Sequence, residues 1–440
     1  MAEHGISEAV KLASNEVPFG PLPGVAEAVA AAMADTARYA DHDADGLAAA
    51  YAETVGVTRA QVAVGPGSVG LLQQLTLAYA GPDDEVLYPW PSFIAYPQFS
   101  GVVAAHRVVV PLQRFSIDVD AVLAAITPST RMIFIANPNN PISGALRAAD
   151  LRRLVEGAPS ECLVVIDEAY REFVTGADVP DALPLLDEHP NVVVLRTLSK
   201  AFGMAGMRVG FLIGDPSIVG AVYATMIPFA VNGPAQAAAM VALQQGDEMR
   251  RRCAVIVAER RRGGQLLRRS GLGIPASQGN FWWLPVGGDA AAVALELERR
   301  GVVVRPFPTG IRVTVGAPAE NDAFFSALST VRAEHAELFA GWGLPTGSRA
   351  VHIADLLDTL QVIEDGRTLD GDETAALVET ERCLRSLLGA AAVARFTDGA
   401  EAARAADRLG ALLAELDDAE WDAVETARDQ QPLAWLIERA

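Results

Sequence analysis

The sequence predicts an α/β chain built on a mostly parallel sheet. Three observations carry that prediction. Short segments that are wholly or largely apolar and rich in Val, Ile and Leu recur across the first half, as at 61–64, 131–136, 163–167 and 191–195. Segments with helical spacing alternate with them, and strands buried on both faces arise where helices cover both sides of a parallel sheet. Clusters of Gly, Pro and Asn follow several of the apolar runs. That places turns at the carboxyl ends of strands, where such folds hold their functional groups.

Residues 1–20 end in NEVPFGPLP, too proline-rich for a helix interior, and read as irregular. Residues 24–37 read as an alanine-rich helix and 46–55 as a second. A strand at 61–64 leads into a helix at 68–80, and a strand at 85–88 into a helix at 92–100. Residues 102–110 read as a strand before a helix at 118–126. The strand 131–136 precedes a helix at 148–156, and strands at 163–167 and 191–195 follow. From 216 to 246 no residue is charged. Pro216, Pro228, Pro234, Gly220 and Gly233 interrupt that stretch, and Asn232, Gln236, Gln244 and Gln245 lie in it. It therefore reads as buried core or subunit interface rather than a membrane span.

A long basic helix at 249–270 opens a different texture, with short strands at 280–284, 302–305 and 311–315 and a helix from 321 to about 340. The expected division is a large domain over 21–246 and a smaller α+β domain made of 1–20 with 247–340. Residues 341–349, GWGLPTGSR, read as a linker. Residues 350–440 read as an acidic helical appendage with 20 Asp and Glu against 8 Lys and Arg. Within it Leu377, Leu384, Leu387 and Leu388, then Ala405, Leu409, Leu412, Leu413 and Leu416, keep helical spacing. The appendage is read as a stabilising cap, with docking of a partner as the alternative.

The length of 440 residues allows about three domains, and 51% hydrophobic content supplies a large core. A net charge of −20 without a basic stripe argues against nucleic-acid binding. Cys162, Cys253 and Cys383 have neither metal-ligand spacing nor an even disulfide count, so no metal is expected and a reducing cytoplasm suits the chain. The opening MAEHGISEAVKLASNE is too polar for a signal peptide.

Five pieces with chemical potential fall at predicted strand ends. VGPGSVG, 64–70, is a strand, a glycine turn and a helix start, so the backbone N–H groups of Ser68, Val69 and Gly70 would face an anion. The same run matches G-x-G-x-x-G, which leaves a dinucleotide site or a plain tight turn as rival readings. Phe93 in PSFIAY stands just past a strand, where an aromatic can stack on a flat ring or fill core. ANPNNPIS, 136–143, offers Asn140 to a ring oxygen, or is a stiff turn. LVVIDEAYREF, 163–173, puts Asp167 at the end of a hydrophobic strand, where a carboxylate needs a cationic partner, with Tyr170 three residues on. In LRTLSKAFGMAGMRVGF, 195–211, Lys200 sits beside Thr197 and Ser199, with Arg208 eight residues later.

Each piece alone has an ordinary structural explanation. In this order they supply what pyridoxal phosphate needs. Lys200 would form a Schiff base and move the substrate proton, and Asp167 would keep the ring nitrogen protonated. Asn140 and Tyr170 would bond the phenolic oxygen, and Phe93 would lie on the ring. Arg208, Thr197 or Ser199 and the Ser68–Gly70 amides would hold the phosphate.

On the stretches KLASNE–PFGPLP, GPGSV–LLQQL, NPNNP, DEAY, VVVLRTLSKAFGMAGMR, SQ–NF–WLP, VVVRPF and IRVTVGAPAENDAF, the chain resembles the fold-type I, class II pyridoxal-phosphate aminotransferases of the histidinol-phosphate aminotransferase group. Within that group it is most similar to the actinobacterial aromatic (phenylalanine) aminotransferases. The resemblance spans residues 11 to about 330. It implies a fold-type I PLP-dependent transferase that moves an amino group from an aromatic or other hydrophobic L-amino acid to a 2-oxo acid, with 2-oxoglutarate the expected acceptor. Histidinol phosphate, or a specialised pathway reaction such as decarboxylation, is the alternative. The resemblance also implies that Arg312 grips the substrate carboxylate, that Asn15, Phe19 and Arg305 lie toward the substrate, and that Tyr39 reaches the phosphate of the neighbouring subunit in a homodimer. Phe19 stands where histidinol-phosphate enzymes usually carry tyrosine, and the stretch around Met226, Ile227, Pro228, Phe229 and Val231 is apolar. Both favour an aromatic or other hydrophobic side chain, whereas the VNGPAQAAA run with Asn232 resembles the histidinol-phosphate branch.

Overall fold

The computed structural model describes residues 9–113, 115–270 and 272–339. The expected linker at 341–349 and appendage at 350–440 lie outside them. In chain order the elements are β1 (Val10–Lys11), α1 (Val25–Ala32), α2 (Asp45–Val55), β2 (Val62–Gly65), α3 (Gly67–Tyr79), β3 (Glu85–Trp90), α4 (Ala95–Val102), β4 (His106–Pro111), α5 (Val119–Ala124), β5 (Thr130–Ala136), α6 (Ala148–Gly157), β6 (Leu163–Asp167), β7 (Val192–Thr197), β8 (Gly210–Ile213), α7 (Pro216–Thr225), α8 (Gly233–Leu243), α9 (Gly246–Arg269), β9 (Phe281–Leu284), α10 (Ala290–Glu298), β10 (Val302–Val303), β11 (Arg305–Phe307), β12 (Gly310–Thr314) and α11 (Pro318–Glu334).

The central sheet has seven strands in the order β2-β8-β7-β6-β5-β3-β4. All pairings are parallel except those of β8, which runs against both β2 and β7. No crossover helix separates β7 from β8, so the chain turns back and pairs antiparallel. Side chains alternate across the sheet with period two. Ile133, Ile135, Val164, Ile166, Val192 and Val194 enter the core under α2, α5, α6, α8 and α9. Met132, Phe134, Ala136, Leu163, Val165, Val193 and Leu195 enter the opposite core, under α3, α4 and α7. Asp167 and Thr197 continue that second series, so both project from strand ends toward the α3–α4 side.

The sheet's carboxyl edge is pinned by a buried ion pair. The Glu168 side chain is fully buried, and its Oε2 accepts from Arg196 Nε at 3.0 Å and Nη2 at 2.7 Å. Its Oε1 accepts from Ala182 N at 3.0 Å, and Arg196 Nη2 also reaches Asp181 Oδ1 at 2.7 Å. Burial raises the pKa of Glu168 against the opposing pull of Arg196. The bond from Glu168 N to Leu195 O ties the same two strands through their backbones.

Several sequence expectations need correction. Residues 1–20 are not wholly irregular, because Val10–Lys11 pairs in parallel with Val302–Val303. The expected strand at 102–110 starts late. α4 runs through Val102, which is largely exposed, and the chain turns at Ala104 with a positive φ of 56° before the strand begins at His106. The run VVAAHRVVV is rich in strand formers, but pairing with β3 begins at His106 and decides the boundary. The strand β8, Gly210–Ile213, is not among the strands the sequence predicts. The strand expected at 302–305 is two short strands in different sheets, β10 and β11. The uncharged stretch at 216–246 forms α7 and α8, and among the described residues no helix is long and apolar enough to cross a membrane.

Beyond α9 a second, three-stranded sheet has the order β11-β12-β9, all antiparallel. Asn15 N donates to Thr314 Oγ1 at 2.9 Å, so the N-terminal segment is laid along this sheet.

Candidate active site

The carboxyl ends of β2, β3, β5, β6 and β7 and the inner strand β12 converge on one cluster. At its floor α3 starts at Gly67 with no side-chain cap, so its first-turn amides remain available as donors. Gly67 has a φ of +75°, and a Cβ there would lie 2.4 Å from Arg208 Nη2. Gly210 serves the same approach from β8, since a Cβ on it would stand 2.2 Å from Ser68 N. Arg208, itself left-handed at φ 57°, donates from Nη1 to Ser199 Oγ at 3.1 Å and to Ala205 O at 2.9 Å. Ser199 N donates to Thr197 Oγ1 at 3.1 Å, and the two hydroxyl oxygens are 2.9 Å apart. A helix start, a guanidinium and two buried hydroxyls thus line one anion cradle. Val69 packs into the apolar core beside it, and Gly70 abuts the Pro66 ring.

Lys200 leaves the β7 end next to that cradle. Its Nζ donates to Ser14 O at 3.1 Å and lies 5.8 Å from the centre of the Tyr170 ring. Burial, reinforced by the charges of Arg312 and Arg208, lowers its pKa to about 8. Asp167 closes the β6 end. Its Oδ1 accepts from Ala169 N at 3.2 Å, it forms no ion pair among the described residues, and burial raises its pKa to about 6, with the Lys200 charge opposing. Tyr170 is buried, its hydroxyl accepts from Asn15 Nδ2 at 2.9 Å, and burial raises its pKa. Phe93, half-buried just before α4, stands edge-on to Tyr96 at 5.7 Å.

Arg312 enters from β12. It donates from Nη1 to Asn140 Oδ1 at 2.6 Å and from Nη2 to Ala13 O at 2.7 Å. A guanidinium only donates, so the Asn140 oxygen is committed to it and the amide NH2 is what Asn140 has left to offer. Phe281 and Phe307 flank the guanidinium at 5.7 and 5.8 Å. Its Nε is buried without a partner, and burial lowers its pKa. Arg305 is exposed and lies opposite Arg312 in register.

Two expected residues stand apart from the cluster. Phe19 lies under the Arg252 guanidinium of α9 at 5.5 Å. Tyr39 is 84% exposed and stacks on Phe229 at 4.4 Å, touching none of the groups above. The structure also adds residues that the sequence did not single out. Asn139 ties the β5 loop to the β3 loop through Pro91 O and Ser92 Oγ, and Asn137 Oδ1 accepts from Leu146 N. The three asparagines of one motif therefore do three jobs, and only the fold separates them. Ala13, Ser14, Phe281, Phe307 and Thr314 lie in stretches that carry the resemblance but have no role assigned from the sequence. Cys162 and Cys253 are buried and unpaired, and no metal-holding cluster of His, Cys, Asp or Glu occurs among the described residues.

The donor set fits pyridoxal phosphate. The cradle is shaped by a glycine whose side chain would fill it, a buried acid has no ion pair among the described residues, and a buried guanidinium Nε has no acceptor among them. Comparison with known proteins points the same way. The family model for aminotransferase class I and II matches residues 7–328. An aromatic amino acid aminotransferase of Thermobifida fusca is 48% identical over 73% of this chain and 89% of its own length. One from Streptomyces coelicolor is 47% identical over 74% and 91%. The structure of a histidinol-phosphate aminotransferase from Sinorhizobium meliloti in complex with pyridoxal-5'-phosphate superposes with a TM-score of 0.70 at 29% identity, over 76% of this chain and 93% of that one.

Proposed function

Because the chain belongs to the class I and II aminotransferases, we propose that it moves the amino group of an aromatic L-amino acid to a 2-oxo acid, with 2-oxoglutarate as acceptor and pyridoxal phosphate held at Lys200. The observation that carries this reading is the half-buried Lys200 amine between an anion cradle, a buried carboxylate and the Arg312 guanidinium. The apolar flanks that Phe281 and Phe307 give Arg312 support an aromatic side chain on the substrate. So do the names of the two bacterial relatives.

The cofactor, when bound, supplies an aldehyde to the amine and a protonated ring that draws electrons from the substrate α-carbon. Arg208, Ser199, Thr197 and the first turn of α3 bind its phosphate, which also keeps the amides of Ser68, Val69 and Gly70 in service. Asp167 would supply negative charge to a cationic ring nitrogen, and Phe93 would cover the ring. Tyr170 and the Asn140 NH2 hold the phenolic oxygen. Arg312 Nε and its neighbouring NH groups orient the substrate carboxylate so that the α-hydrogen faces Lys200. Lys200 Nζ would take that proton as a base and give it back as an acid. The division into 21–246 and 1–20 with 247–340 belongs to this proposal, supported by the β1–β10 pairing. A homodimer belongs to it as well. Exposed Tyr39, Met33 and Ile227 leave an apolar face that a second copy would cover.

The test is product analysis with phenylalanine and 2-oxoglutarate. Phenylpyruvate and glutamate should appear in equal amounts without carbon dioxide. Faster turnover of histidinol phosphate in the same panel would move the substrate assignment to the alternative, and release of carbon dioxide would replace the reaction.

Two further outcomes are expected. Gly67→Ala forces a strained φ and pushes a methyl into the Arg208 guanidinium. Pyridoxal phosphate affinity, read by titrating the protein stripped of cofactor, should fall by about tenfold or more. The rate of cofactor loading should follow the free-base form of Lys200. A lysine whose pKa is lowered to about 8 is mostly protonated below that pH and mostly free above it. Loading should therefore rise by about tenfold per pH unit on the acid side and level off above pH 8, where an unperturbed lysine would still be climbing.

A further inference from the structure

Tyr96 is a residue for which the assignments above have no use. It is 0% exposed, and its hydroxyl makes no hydrogen bond of ordinary geometry, although it stands close enough to the Asp167 carboxylate for each to shift the other's protonation. A buried hydroxyl left unpaired is costly, and phenylalanine would fill the same space without that cost. The ring is tightly held. It stacks on Phe134 at 4.9 Å, tilts against Tyr88 at 6.0 Å and meets the Phe93 ring edge-on at 5.7 Å.

The sheet says what the hydroxyl faces. Phe134 and Ala136 point to one side of β5 and pair in register with Val165 and Asp167 of β6. Tyr96 belongs to the core on that same side. A ring stacked on Phe134 therefore lies one step along the strand from the Asp167 carboxylate, and Asp167 is the charge that acts most strongly on the Tyr96 phenol. Phe93 and Tyr96 are three residues apart, so one side chain of this turn covers the proposed ring site and the other stands behind the acid.

We propose that Tyr96 is a positioning residue whose hydroxyl donates to the Asp167 carboxylate, fixing its rotamer and leaving its other oxygen for the ring nitrogen of pyridoxal phosphate. The proposal rests on the cofactor reading above. Ala169 N already occupies Asp167 Oδ1. A second donor from the side chain would remove the remaining freedom of the carboxylate, and hydrogen bonds to a charged acceptor are about twice as strong as neutral ones.

The experiment is a double-mutant cycle in the full-length chain, with Tyr96→Phe, Asp167→Asn and the pair, read by pyridoxal phosphate affinity and by the visible absorbance of the bound cofactor. Thermal melts of the stripped proteins check that Tyr96→Phe keeps the fold. Tyr96→Phe should lower affinity by about tenfold and shift the absorbance band in the parent, and should change affinity by less than about twofold in the Asp167→Asn background. Equal losses in both backgrounds, or none in the parent, overturn the role of Tyr96 and leave the cofactor reading standing. An Asp167→Asn protein that binds cofactor like the parent overturns the cofactor reading at its source, and the role of Tyr96 with it.

Discussion

Replacing Lys200 with alanine is expected to lower transamination by roughly 10⁴-fold and to abolish the covalent, visible-absorbing form of the protein. The size of the effect follows from position. The amine stands between the Arg208 cradle and Asp167, and no other lysine or histidine contacts this cluster among the described residues. The fold should hardly notice, because the side chain makes one hydrogen bond, to Ser14 O. The phosphate contacts remain in the variant, so it should still bind pyridoxal phosphate reversibly. Added small primary amines should restore part of the rate if the missing function is proton transfer. A Lys200→Ala protein with parental activity would end the proposal.

Glu168→Ala should give the largest loss of stability. The side chain it removes is fully buried, while Arg196 is 12% exposed and would keep its charge with a single carboxylate partner, Asp181. Breaking one side of a buried pair costs about 3–5 kcal/mol, since the surviving ion stays desolvated. Asp181 is partly exposed and should hold the loss to the lower part of that range, near 3 kcal/mol in urea unfolding. Replacing both partners, Glu168→Leu with Arg196→Met, should recover most of it, because no charge is then stranded. The single variant should also lose activity, as this pair fixes the ends of β6 and β7, from which Asp167 and Lys200 project. If the double replacement is as unstable as the single one, packing rather than a stranded charge is the cause.

Much of the site was legible in the sequence because its residues follow strands that announce themselves. LVVID is apolar up to its last residue, so Asp167 had to stand at an edge. The Lys200 stretch and VGPGSVG carry their chemistry within a few positions. Other features depend on contacts between distant segments. GFLI is too short to stand out as a strand, and only its pairing with β2 and β7 makes it one. Nothing local says that Asn140, rather than Asn139, meets Arg312, since that bond spans 172 residues. Tyr96 looks like any core aromatic until strand register sets Asp167 beside it. Phe19 and Tyr39 were placed by resemblance, and their surroundings in one chain, Arg252 and Phe229, are no part of the cluster.

The N-terminal strap has a consequence for how the protein is made. Ala13, Ser14 and Asn15 supply backbone or side-chain partners to Arg312, Lys200 and Tyr170, and the bond from Asn15 N to Thr314 spans 299 residues. The segment around Asn15 must therefore wait for Thr314, 299 residues further along the chain, before it can settle. Until then the pocket has no roof, and a nascent chain stalled short of Thr314 would carry a finished central sheet around an unassembled site.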